Sequence, residues 1–186
     1  MPNYFVVNSA NDPLYDKALI LAQNYQAAQS GVLYRLTTGS QSLVIGGFLL
    51  LQITVPANTK KTIYINEVDC GSQGALTLDI FRNATFAAAG TSAVPLNCNS
   101  AFSNNSSMTV KWLTSATDPT SGGTLERTLI GTSGFIISLN GASIMTSTTS
   151  NLTYYLRITN GGVANNVSLG VSWWELPIGQ TLYPNG

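Results

Sequence analysis

The side chains able to do chemistry in this chain are few, and the commonest catalytic one is missing. There is no histidine, so the usual general base is absent and neither a Ser-His-Asp nor a Cys-His arrangement can be built. The acidic residues are Asp12, Asp16, Glu67, Asp69, Asp79, Asp118, Glu126 and Glu175. The closest strand pair, Glu67 and Asp69, lies two positions apart and therefore on one face of a strand. A solvated strand end is the plain reading; with loop carbonyls the pair becomes a weak calcium candidate. A glycosidase needs two carboxylates ~5 Å or more apart, usually from different strands. Cys70 and Cys98 have no CxxC partner and no histidine companion, and two thiolates do not complete a tetrahedral zinc set. They read either as two small buried thiols or as a disulfide, within or between chains. Gly122-Gly123 and Gly161-Gly162 lack the lysine and the following helix of a phosphate loop, and read as turns. No catalytic residue and no cofactor is expected.

Trp173-Trp174-Glu175 closes the last apolar segment. Neighbouring residues of a strand point to opposite faces, so one tryptophan is expected in the core and the other outside. The outward ring has three uses open to it: packing under an arm, a subunit interface, or a platform for a sugar. With Tyr154 and Tyr155 it makes an aromatic end of the molecule.

Composition narrows the partners. Hydrophobic residues make up 44% of the chain but charged residues only 9%, against about 25% in an ordinary domain. Eight acidic and eight basic residues cancel, and a net charge near zero removes the repulsion that keeps molecules apart. The basic residues are scattered, with only Lys60-Lys61 adjacent, so the concentrated patch needed for nucleic acid is missing. No apolar run approaches the ~20 residues of a membrane helix. Met-Pro-Asn-Tyr-Phe carries no basic region before its short apolar stretch, so no secretory signal peptide is expected.

The elements that must position these residues fall into two kinds. In residues 1–41, Asn11-Asp12-Pro13 is a helix start, an Asx cap followed by proline at the first helical position. Leu14, Ala18, Leu21 and Tyr25 follow at helical spacing, and Gly31 supplies a stop. A helix over about 13–30 is expected, packed on its own domain or reaching a neighbouring subunit as an arm. From residue 42 to 176 the pattern is short β-branched and aromatic runs divided by Gly, Pro, Asn and Ser clusters. Strands are expected at 43–45, 48–55, 62–68, 76–81, 108–113, 124–130, 135–139, 152–159 and 167–175. Turns are expected at Pro56-Ala57-Asn58-Thr59 and Asn140-Gly141, with a tight hairpin at Asn160-Gly161-Gly162. Residues 83–107 and 114–123 read as long loops of the kind that are often functional or interfacial. Alternation in Thr77–Phe81 and Tyr155–Thr159 indicates antiparallel sheets. The fold class is all-β: an antiparallel sandwich, jelly-roll-like with about eight strands, plus an N-terminal helical arm and a tail over 177–186.

Three stretches carry a resemblance. They are Asp79-Ile80-Phe81-Arg82-Asn83 running into Ala84–Thr91, then Asp118–Leu125, then Leu156–Asn160 with Val171–Glu175. Together, over roughly residues 42–176, they resemble β-sandwich surface proteins of phage virions and the jelly-roll subunits of endospore appendages in spore-forming Gram-positive bacteria. The resemblance implies self-assembly on a virion, cell or spore surface, with the chain itself as first partner and other surface or virion proteins as further ones. Appendage subunits carry an N-terminal connector and are cross-linked by cysteines. This chain has no cysteine in its first 41 residues, so any such bond would have to use Cys70 and Cys98. The expected function is a non-enzymatic structural subunit that assembles through sandwich contacts and the arm, with Leu14, Ala18, Leu21, Tyr25, Trp173 and Trp174 as candidate interface residues. The alternative is a carbohydrate- or receptor-binding sandwich module.

Overall fold

The structure, a computed structural model, describes residues 23–132, 136–180 and 182, with the backbone alone over 136–142. Its strands are β1 (Leu33–Thr37), β2 (Gln41–Leu43), β3 (Phe48–Val55), β4 (Lys61–Ser72), β5 (Leu76–Arg82), β6 (Thr91–Ala93), β7 (Leu96–Asn97), β8 (Thr109–Ser115), β9 (Thr124–Gly131), β10 (Ile136–Thr146), β11 (Leu152–Asn160) and β12 (Asn165–Pro177). They form two antiparallel sheets of six. The first runs β10-β4-β12-β1-β7, with β2 paired to the start of β12; the second runs β6-β8-β3-β11-β5-β9. The expected all-β sandwich is present.

The core lies between the sheets and follows the period of two. On β11, Tyr154, Leu156 and Ile158 point inward; on β12, Val167, Leu169, Val171 and Trp173 do. β3 reads as a nearly continuous apolar run because both its faces are covered. Leu49, Leu51, Ile53 and Val55 enter the main core. Leu50 joins Ala84, Phe86 and Tyr155 in a second, smaller cluster on the outer face of the second sheet. Ala84 and Phe86 come from the start of the long polar stretch after β5, which folds back over that sheet. Asn83 makes the turn in the left-handed region (φ 60), and the Thr153 hydroxyl donates to Ala84 O at 2.6 Å. The 114–123 loop lies against it through the Thr85–Ser121 bridge. Gly123 is required there: with φ +82, a Cβ would stand 2.5 Å from Ala84 N.

Several expectations change. β1 lies in the stretch read as an arm, yet it is an interior strand between β12 and β7. The sandwich therefore includes Leu33–Thr37 and does not start at residue 42. Residues 23–29 are helical and end at Gly31, whose φ of +66 accompanies Val32 N donating to Ala27 O. Residues 13–22 of the expected helix lie outside the described residues. Asn140-Gly141 is no turn, because β10 runs on through it with a register shift between Asn140 and Ser143. Asn160-Gly161-Gly162 is no hairpin either. β11 and β12 belong to different sheets, so this turn carries the chain across the sandwich. The stretch 83–107 contains two short strands, β6 and β7, that extend opposite sheets.

Candidate functional site

A cleft of about 590 Å³ lies on the side of the sandwich where β9 and β10, an edge strand of each sheet, lie together. The Ser143 hydroxyl on β10 donates to Glu126 Oε2 on β9 at 3.2 Å, joining the two edges. The volume falls within the ~300–1,000 Å³ of small-molecule sites.

Sheet register supplies one wall. Ile144, Tyr64 and Trp174 are cross-strand neighbours on β10, β4 and β12. Inward-facing Met145 and Trp173 are next in sequence to Ile144 and Trp174, so alternation turns this row away from the core. The Tyr64 and Trp174 rings stack at 5.5 Å and 16°, and Ile144 is largely exposed. Gln23, from the helical segment, completes this side.

The polar wall comes from β5 and β9. Between Ile80 and Phe81 the β5–β9 register slips by one, so that β9 carries one extra residue. Such a bulge re-aims side chains, and here consecutive Glu126 and Arg127 both line the cleft. Arg82 pairs with Glu126 at 2.6 Å. Arg127 forms no ion pair among the described residues. At the floor, Tyr154 is fully buried; Ser143 is a polar side chain beside its hydroxyl, without a hydrogen bond of normal geometry. Burial, then the Glu126 carboxylate, pushes its phenol far above the usual tyrosine range; Arg127, Ser143 and Arg82 offset this only in part.

The candidate residues read from sequence are not gathered in one place. Trp173 is a core residue and Trp174 faces outward into the cleft, in keeping with alternation. Tyr154 and Tyr155 do not share an aromatic end: Tyr154 is at the cleft floor, while Tyr155 sits in the smaller cluster under the 83–90 loop. Glu67 and Asp69 flank a separate groove of about 350 Å³ with Arg35 and Ser172, on the outer face of the first sheet. Among the described residues no group of three or more His, Cys, Asp or Glu comes together. Cys70 is in the main core and Cys98, half-buried, follows β7; no bond joins them. Tyr25 is exposed, and Ala27 is the helical residue that packs inward. Leu14, Ala18 and Leu21 lie outside the described residues. No helix among the described residues is long and apolar enough to cross a membrane.

Two polar clusters were hidden from sequence reading. Glu175 is buried and accepts from Ser106 Oγ (2.5 Å), Ser107 N (3.0 Å), the Ser107 hydroxyl and Trp173 Nε1 (3.0 Å). It pins the 98–107 segment to β12, beside Tyr34, whose hydroxyl accepts from Asn104 at 2.8 Å. Burial, then Glu175, raises the Tyr34 phenol, against the Asn104 hydrogen bond. On the outer face of the second sheet, Arg157 binds Asp79 and Asp118 and lies 4.9 Å above the Phe81 ring. Burial pushes Asp118 up, but hydrogen bonds from Thr120 and the Arg157 charge outweigh it and hold the carboxyl below its usual value. These clusters satisfy their own groups and leave little polar capacity spare, unlike the cleft. No protein-family model matches the chain, and neither a curated protein nor a solved structure matches it.

Proposed function

We propose that this chain is a non-enzymatic structural subunit with a jelly-roll core that self-assembles through the open side of its sandwich and its N-terminal arm. Strand order supports the jelly roll. Taking β1, β3, β4, β5, β9, β10, β11 and β12 as strands one to eight, the sheets read one-eight-three-six and two-seven-four-five. That is the nested order of two Greek keys closed face to face. The observation that carries self-assembly is β9. It is an eight-residue edge strand, exposed along most of its length, with Leu125 and Ile130 on its surface at 52% and 80% exposure. A long edge of unpaired backbone with apolar side chains is a template for another strand, and a chain of zero net charge does little to repel its own copies. Such a subunit belongs on the surface of a virion, a cell or a spore.

The test is electron microscopy and sedimentation of three proteins: wild type, Ile130→Lys, and a form lacking residues 1–22. Ordered assemblies from wild type, lost in both variants with far-UV circular dichroism unchanged, are expected. A wild type that stays monomeric at high concentration, or variants that assemble as well as wild type, would overturn the reading.

A further inference from the structure

We propose that the cleft between β9 and β10 binds a carboxylate-bearing saccharide. The inference is independent of self-assembly, because the cleft is complete within one chain.

Two features of the cleft select this ligand. The stacked Tyr64–Trp174 pair and Ile144 give an apolar wall that suits the C–H face of a pyranose ring. Beside it, Arg82, Glu126 and Ser143 bring hydrogen-bonding groups into the cleft, held by the 2.6 Å and 3.2 Å contacts among them.

Charge then distinguishes an acidic sugar from a neutral one. The cleft holds two guanidinium groups against one carboxylate, and Glu126 is already engaged by Arg82 and Ser143. Arg127 remains over, with no ion pair among the described residues. Its planar fork matches a carboxylate in two parallel hydrogen bonds. An acidic peptide would satisfy Arg127 but would leave the aromatic wall without a matching ring face.

The test is isothermal titration of the full-length protein with trigalacturonate, sialyllactose and a hyaluronan tetrasaccharide, against neutral galactotriose and a pentaglutamate peptide. Sedimentation on the same samples keeps binding separate from any change of assembly. At least one acidic saccharide is expected to bind, about tenfold or more tighter than the neutral sugar, with affinity falling as salt rises. Arg127→Gln should erase that preference while the fold holds, since Arg127 is a surface group. Silence toward every acidic saccharide at millimolar concentration would overturn the proposal. So would equal binding of galactotriose, pentaglutamate binding as tightly as the sugars, or an unchanged preference in Arg127→Gln.

Discussion

Replacing Glu175 by alanine tests whether the buried carboxylate holds the 98–107 segment on the sandwich. In the folded protein it accepts four hydrogen bonds, from two hydroxyls, one backbone N–H and one indole N–H. The serine hydroxyls are half-buried and can turn toward water or each other. Trp173 Nε1 and Ser107 N cannot turn, and each loses a charged acceptor in a buried place. At about 1–3 kcal/mol for each stranded donor, plus the space left by the side chain, the loss sums to about 3–5 kcal/mol. That is a large fraction of the ~5–15 kcal/mol that holds a domain together. With a urea slope of about 2 kcal/mol/M, the unfolding midpoint falls by roughly 2 M. Glu175→Gln restores one acceptor oxygen but sets an amide against donors, so its midpoint lies between those of wild type and alanine. Tryptophan fluorescence and far-UV circular dichroism, followed through the same urea series, should report one transition. A midpoint shift below about 0.5 M for alanine would refute the assignment, because it would mean that the stranded donors find water and the segment is held by other contacts.

Three more outcomes follow from the same structure. Asp79 is buried and takes both Arg157 and Thr128; Asp79→Ala should cost about 2–4 kcal/mol by chemical denaturation, while Asp118→Ala, removing the more exposed partner, should cost less than about 1 kcal/mol. The phenols of Tyr34, Tyr154 and Tyr155 are all raised, chiefly by burial, so the folded state holds these protons more tightly than the unfolded chain. That contribution is complete below pH ~10 and is lost as pH climbs beyond it; phenolate absorbance should show late tyrosines that ionise together with unfolding. Deleting residues 1–40 removes β1 from between β12 and β7 and should give insoluble protein in an expression and solubility assay, whereas deleting 1–22 should not.

The sequence by itself determined most of the longer strands and their faces. Alternation in Thr77–Phe81 and Tyr155–Thr159, and the in–out pair Trp173-Trp174, follow from the period of two, which is local. Gly31 ends the helical segment for an equally local reason: it accepts a left-handed φ without a Cβ. Pairing was decided elsewhere. Among the described residues no two consecutive strands are hydrogen-bonded to each other, so no turn there announces its sheet, and Asn160-Gly161-Gly162 resembles a hairpin while crossing the sandwich. β1 was absorbed into an expected arm because five residues next to a helical pattern carry too little signal of their own; it becomes a strand through β12, more than a hundred residues away. The cleft is the extreme case. Its Glu126-Arg127 wall depends on a one-residue slip against β5, its floor on Tyr154 from β11, and its aromatic row on the register of β10, β4 and β12. Side-chain direction is a property of the local backbone, whereas the meeting of side chains from six strands is a property of register, and only the closed sandwich sets register.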